Sequence, residues 1–262
     1  MKIAVIGVGE MGGAIVKGLL KSDLCQADEI TISAPHEQTL NKFKDTGVSM
    51  TTDNKLAAES ADIVMVVVKP NVAETVLKEI KAALDYQRQQ LVLVIAGLTA
   101  EKASEILQKD NPSLPPFYLV VPNIAIAVKS SMTFIVPVGA TSEQQEIVVT
   151  LFDKLGTTLI TQESLLSAGT NLASCGIAYA MRYIRAASEG GVELGFKARE
   201  AQKIVMQTMK GSVALLEQTG DHPEVAIDKV TTAGGITIRG LNEMEHAGFS
   251  SAVIRGLKAG AK

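Results

Sequence analysis

Through the first 160 residues, short apolar runs alternate with stretches of helical spacing. Ile3–Ile6 is apolar throughout and sized for a buried strand. Residues 29–33, 47–50, 62–70, 91–97, Phe117–Val121 and 132–136 read as further strands. Between them, residues 14–20, 41–44, 55–59, 72–84, 101–108 and 142–155 have helical spacing, and Thr99 is placed to cap the helix at 101–108. The runs 63–68 and 91–96 show no polar alternation, as in strands covered on both faces. Strands and helices alternating in this way predict a doubly wound sheet.

The pattern changes near residue 160. From Ser164 onward no strand pattern appears, and long helical stretches at 172–189 and 199–217 take over. The second carries Ile204, Val205, Met206, Met209, Val213, Leu215 and Leu216, too many apolar residues for a monomer's surface. Burial against a second subunit is expected; a self-contained bundle packed on the first domain remains the alternative. The expected architecture is α/β: an N-terminal Rossmann-type doubly wound sheet over 1–160, then an all-helical dimerisation and substrate-binding domain over 161–262.

The first strand opens directly into Gly7-Val8-Gly9-Glu10-Met11-Gly12, spaced G-x-G-x-x-G, and a helical pattern follows. In that strand–turn–helix context the spacing predicts a dinucleotide site. Gly7 permits the tight turn, Gly9 admits a pyrophosphate, and Gly12 lets helix and strand pack closely. The pyrophosphate would sit on free N–H groups at the helix N-terminus, including those of Glu10 and Met11. Val68, Lys69 and Pro70 follow a strand's carboxyl end, where open α/β sheets bind ligands.

Cofactor choice turns on the end of the second strand. NAD-binding folds place Asp or Glu there, on the ribose 2′-hydroxyl. Here the sequence is Ser33-Ala34-Pro35-His36, with no carboxylate before Glu37 and no arginine. NADP(H) is expected, with NAD(H) left open. The Ser33 hydroxyl and His36 are the groups within reach of a 2′-phosphate; His36 as a solvated turn residue is the alternative.

Composition narrows the partners. The net charge of −3 gives no basic surface for nucleic acid. No apolar run is long enough to span a bilayer, so no membrane partner is expected. The opening residues do not read as a signal peptide. Cys25 and Cys175 are the two cysteines, far apart and without metal-ligand spacing, so no metal is expected and the location is expected to be cytoplasmic.

Two stretches in the second half carry candidate chemistry. Ala173-Ser174-Cys175-Gly176-Ile177-Ala178-Tyr179 leads small residues into a helix. Val230-Thr231-Thr232-Ala233-Gly234-Gly235-Ile236-Thr237 exposes several backbone donors, which suits a carboxylate. For each, a helix cap is the alternative.

Over essentially its whole length the chain resembles the pyrroline-5-carboxylate reductases. The matching parts are Gly7, Gly9 and Gly12; Val66-Val67-Val68-Lys69-Pro70; Val121-Pro122-Asn123; Glu189-Gly190-Gly191-Val192-Glu193-Leu194-Gly195; His222-Pro223; the 230–237 stretch; and Glu245-His246-Ala247-Gly248-Phe249. The resemblance implies reduction of the cyclic imine to L-proline with NAD(P)H, in proline biosynthesis, by a homodimer interlocked through its C-terminal helices. Such dimers often assemble into higher homo-oligomers. It implies a carboxylate held at Thr232, Gly234 and Gly235 beside Cys175 and Gly176. Thr237 matches the threonine whose hydroxyl faces the ring nitrogen, and Asn123, Val68, Lys69 and Pro70 would lie along the nicotinamide and ribose.

Three departures fall beside that site. The family usually has Ser-Gly-Ser-Gly-Pro-Ala-Tyr where this chain has the 173–179 stretch, Ser-Pro-Gly-Gly where it has Thr232-Ala233-Gly234-Gly235, and Pro-Asn-Thr-Pro where it has Pro122-Asn123-Ile124-Ala125. They motivate one rival reading, a weakly catalytic NADP-binding oligomeric regulatory protein. The other rival is a related cyclic-imine or β-hydroxyacid reductase. The latter would want a lysine after residue 170, and 172–187 offers only Arg182 and Arg185.

Overall fold

The computed structural model describes residues 1–109 and 114–260; positions 261 and 262 of the expected second domain lie outside the described residues. The chain divides into two compact units, Met1–Ser174 and the part from Cys175 onward.

The first unit is built on eight strands: β1 (Ile3–Ile6), β2 (Ile30–Ser33), β3 (Ser49–Thr51), β4 (Ile63–Val66), β5 (Gln90–Leu93), β6 (Phe117–Val121), β7 (Ser131–Val138) and β8 (Gly156–Ile160). Their order is β3-β2-β1-β4-β5-β6-β7-β8. Strands β1 to β6 run parallel. Successive side chains enter two separate cores. Ile3 and Val5 pack with Ile15, Val16 and Leu19 of the Glu10–Leu20 helix and with Leu151 and Phe152 of the Ser142–Asp153 helix. Ala4 and Ile6 pack on the other face with Leu77 and Ile80 of the Pro70–Lys81 helix and with Ile106 and Leu107 of the Ala100–Leu107 helix. Double coverage is why β1 and β4 carry no polar positions. Thr99 does cap its helix, accepting from the Lys102 N–H at 3.1 Å.

Three details depart from the sequence pattern. The apolar run 62–70 is strand only to Val66; Pro70 opens a helix at its N1 position and holds Lys69 extended. β7 is antiparallel to β6, because the connection at 122–130 is shorter than the dozen or so residues a parallel crossover needs. β8 was not expected: it is an edge strand, parallel to β7, with Leu159 and Ile160 facing out, so it lacks a buried-strand signature.

The first unit continues past residue 160. The Glu163 carboxylate accepts the Ala100 N–H at 3.0 Å, and the Ser174 hydroxyl donates to the Pro122 carbonyl at 2.8 Å. Gly169 lies against Phe134, whose ring a Cβ there would meet at 3.0 Å.

The second unit comprises the helices Gly176–Glu193, Ala198–Thr219, Pro223–Lys229, Ile236–His246 and Phe249–Ala259. The first two cross closely: a Cβ on Gly191 would come within 2.9 Å of the Ala201 Cβ. Tyr183 and Phe249 meet edge to face at 6.4 Å. No described helix is long and apolar enough to cross a membrane. The architecture is thus a Rossmann-type sheet followed in the chain by an all-helical unit.

Candidate active site

The first unit's cleft lies at the carboxyl ends of β1, β4, β5 and β6. From neighbouring strands β1 and β4 the chain leaves in opposite directions, to β2 on one side and to β5 on the other. Such a reversal opens a crevice between the loops that follow the strands. The cleft has a volume of about 430 Å³.

Its floor is the glycine turn, whose three glycines do three different things. Gly7 has φ +93°, and a Cβ there would sit 2.3 Å from the Val67 carbonyl oxygen. A Cβ on Gly12 would meet the Gly7 carbonyl oxygen at 1.9 Å. Both are required by the protein's own packing. Gly9 differs: a Cβ there meets nothing within 4 Å. It faces the cleft as the N-cap of the Glu10–Leu20 helix, with no side chain capping the free N–H groups. An uncapped, eleven-residue helix whose first turn opens onto a cleft is a site for an anion. The residues therefore fit the pyrophosphate of a dinucleotide.

Glu10, Met11, Gly12, Val68, Lys69 and Pro70 line the cleft with Gly9. Gly7 stands behind them, its N–H donating to the Ser33 carbonyl at 2.9 Å. The opposite wall is apolar, made by Val94, Ile95 and Ala96 after β5 and by Val120, Val121 and Pro122 at the end of β6. Thr170 and Ser174 complete it. Among the described residues, the charged groups that line the cleft are Glu10 and Lys69, both exposed. No described group of three or more His, Cys, Asp or Glu is placed to hold a metal.

Two expected cofactor residues also make hydrogen bonds within the protein. The Ser33 side chain is buried, and its hydroxyl donates to Asn54 Oδ1 at 2.8 Å; Asn54 in turn donates to Glu79 Oε2 at 2.9 Å. Its proton is thus not available to a 2′-phosphate. Asn123 is also buried, and its Oδ1 caps the Ala125 N–H at 3.0 Å. It shapes the turn after β6 while Pro122 faces the cleft. His36 is exposed, at the start of the Glu37–Leu40 helix, and makes no capping bond there.

Val94–Ala96 and Thr170 line the cleft without having been singled out in the sequence, whereas Ser174 belongs to the 173–179 stretch that was. Position after β5 was a usable signal for Val94–Ala96, by the same rule that selected Val68 to Pro70. Thr170 and Ser174 arrive from beyond β8, on the π-helical segment Thr170–Cys175. Nothing local announces that.

The remaining expected residues belong to the second unit. Cys175 is a partly buried free thiol, and Gly176 opens the first long helix. Thr232 to Gly235 form a turn closed by the Gly235 N–H on the Thr232 carbonyl at 2.9 Å. Gly234 is left-handed, φ +70°. A Cβ on Gly235 would press within 2.6 Å of the Thr232 hydroxyl oxygen. Gly235 is the N-cap of the Ile236–His246 helix and no side chain caps it. Thr237 therefore stands at N2, exposed, and is not the helix cap.

Residues 163–262 match the family model for pyrroline-5-carboxylate reductase dimerisation, and residues 2–97 match the model for NADP oxidoreductase, coenzyme F420-dependent. Pyrroline-5-carboxylate reductase 2 of Dictyostelium discoideum is 33% identical over 99% of this chain and 91% of its own length. The chain belongs to the pyrroline-5-carboxylate reductase family. Pyrroline-5-carboxylate reductase 1 of the same organism is 37% identical over 97% of this chain; the chain spans about half of that relative's length, 48%. The fold is shared with the Plasmodium falciparum pyrroline carboxylate reductase crystallised with NADP bound: TM-score 0.89 at 24% identity, over 100% of this chain and 95% of that one.

Proposed function

We propose that the chain reduces 1-pyrroline-5-carboxylate to L-proline, in proline biosynthesis, using a reduced nicotinamide dinucleotide, NADPH in preference to NADH. The observation that carries this is Gly9: a glycine that the fold does not need, at an uncapped helix N-terminus, in a chain of this family. The bound cofactor supplies a hydride, from C4 of its reduced nicotinamide to the imine carbon.

The chain's residues bind and orient. The N–H groups after Gly9 hold the pyrophosphate, Val68 to Pro70 flank the ribose and nicotinamide, and His36 stands at the 2′-phosphate. The Thr232–Gly235 turn, with Cys175 and Gly176, holds the substrate carboxylate on backbone donors. Thr237 is the residue assigned to catalysis, its hydroxyl facing the ring nitrogen. A protonated iminium accepts hydride directly, so a site poor in His, Asp and Glu suffices, and positioning carries the rate. The helices from 161 onward are the dimerisation domain of a homodimer able to assemble further, and the location is cytoplasmic.

A steady-state assay with pyrroline-5-carboxylate and each reduced cofactor tests the reading. Proline formation that is faster with NADPH is the expected result. Cofactor binding without turnover of any cyclic imine would overturn it in favour of a regulatory protein.

A further inference from the structure

The two ends of the cleft differ in hydrogen-bonding sense. At Gly9 to Gly12 the helix presents backbone N–H groups, which are donors. Across the cleft, the polar side chains in an otherwise apolar wall are Thr170 and Ser174. Both have already spent their protons. The Thr170 hydroxyl donates to the Leu166 carbonyl at 2.8 Å, and the Ser174 hydroxyl donates to the Pro122 carbonyl at 2.8 Å. A hydroxyl has one proton and two lone pairs. What these two can offer a ligand is therefore acceptor capacity alone, beside Val121 and Pro122 at the end of β6. The π-helical turn of Thr170–Cys175 is the local feature that carries both residues.

An acceptor-only pair in an apolar wall suits a neutral ligand group with N–H donors and disfavours a phosphate or carboxylate. We infer that Ser174, seconded by Thr170, accepts from the carboxamide N–H₂ of the bound nicotinamide. It is a positioning residue that fixes the ring's rotation, and thereby the face from which hydride leaves. The inference rests on the dinucleotide reading above and extends it to one atom, Ser174 Oγ. The tether to Pro122 is part of the device: it orients the hydroxyl and removes the proton that would otherwise repel the carboxamide donor.

The test is calorimetric titration of wild type and Ser174→Ala with three probes: NADP⁺, its 3-acetylpyridine analogue, which has no N–H₂, and 2′-phospho-ADP-ribose, which has no pyridine ring. Ser174→Ala is expected to bind NADP⁺ about three- to tenfold more weakly. Its affinity for the analogue and for 2′-phospho-ADP-ribose should stay at the wild-type value. Equal loss for NADP⁺ and the analogue would mean that Ser174 acts only by shaping the wall, and unchanged affinity for all three would remove it from the site. Either outcome overturns the inference. Failure of wild type to bind any of the three would instead overturn the dinucleotide reading. Ser174→Thr, which keeps the hydroxyl, should restore discrimination in favour of NADP⁺.

Discussion

The two halves of this chain solve opposite problems. The first unit buries its apolar residues in itself: Phe117, Tyr118 and Phe152 are fully enclosed, and both faces of the sheet are covered. Among the described residues from Cys175 onward, Ala201 alone is a buried hydrophobic. There Leu194 is 84% exposed, Ile236 81% and Leu215 59%. Charge does not explain the contrast, and neither does helix quality, since the second unit has the longer helices. Helices with this much apolar surface left bare are built for a partner. The first unit is a folding unit; the second is an association unit that happens to be attached to it.

That contrast can be broken or sharpened by substitution. The largest effect is expected at Phe152, which lies in the first core with no solvent exposure. Phe152→Ala should cost about 3–5 kcal/mol in a denaturant titration. A loss below 1 kcal/mol would mean that the first unit does not carry the fold. Next comes Gly9→Val. The added side chain enters open space, so the unfolding midpoint should stay put while NADPH binding falls out of the measurable range in a fluorescence titration. Retained affinity would remove the glycine turn from the cofactor site.

Leu215→Asp reports on the second unit. It should leave the first unit's unfolding transition within about 0.5 kcal/mol, as surface substitutions do, yet shift the protein to a smaller species in sedimentation. An unchanged sedimentation coefficient would make the apolar helix faces something other than an interface. The smallest effect is expected at Thr237. Thr237→Ala should lower kcat/KM for the cyclic imine by roughly threefold to a hundredfold, the range for losing a neutral to a charge-assisted hydrogen bond of about 0.5–3 kcal/mol. Melting temperature should not move, because Gly235 and not Thr237 caps the helix. Full activity would place Thr237 outside the site.

Much of this fold is legible in the sequence, and the boundary of what is legible is physical. The glycine turn is local: strand, G-x-G-x-x-G and helix lie within a dozen or so residues, so spacing alone carries the geometry. Thr99 as a cap is local in the same way. The doubly covered strands announce themselves through composition. What escaped depends on neighbours remote in sequence. β8 is an edge strand whose place is fixed by pairing with β7, not by its own pattern. The Ser33 hydroxyl looked free for a phosphate until Asn54, on the other side of β3, was found to hold it. Thr170 and Ser174 reach the cleft through a π-helical turn, a slip in hydrogen-bonding that apolar periodicity does not encode.

The three glycines of the turn also divide along a line that matters for any library built on this scaffold. A selection that scores folding alone will purge substitutions at Gly7 and Gly12, because their missing Cβ atoms make room for Val67 and for the turn's own carbonyl. The same selection will let Gly9 drift to alanine, serine or larger, since nothing in the protein occupies that space. Only a selection that scores cofactor use will hold Gly9 in place. The tolerance of position 9 under one regime and its intolerance under the other would therefore read out, from sequence counts alone, which part of this motif belongs to the fold and which to the ligand.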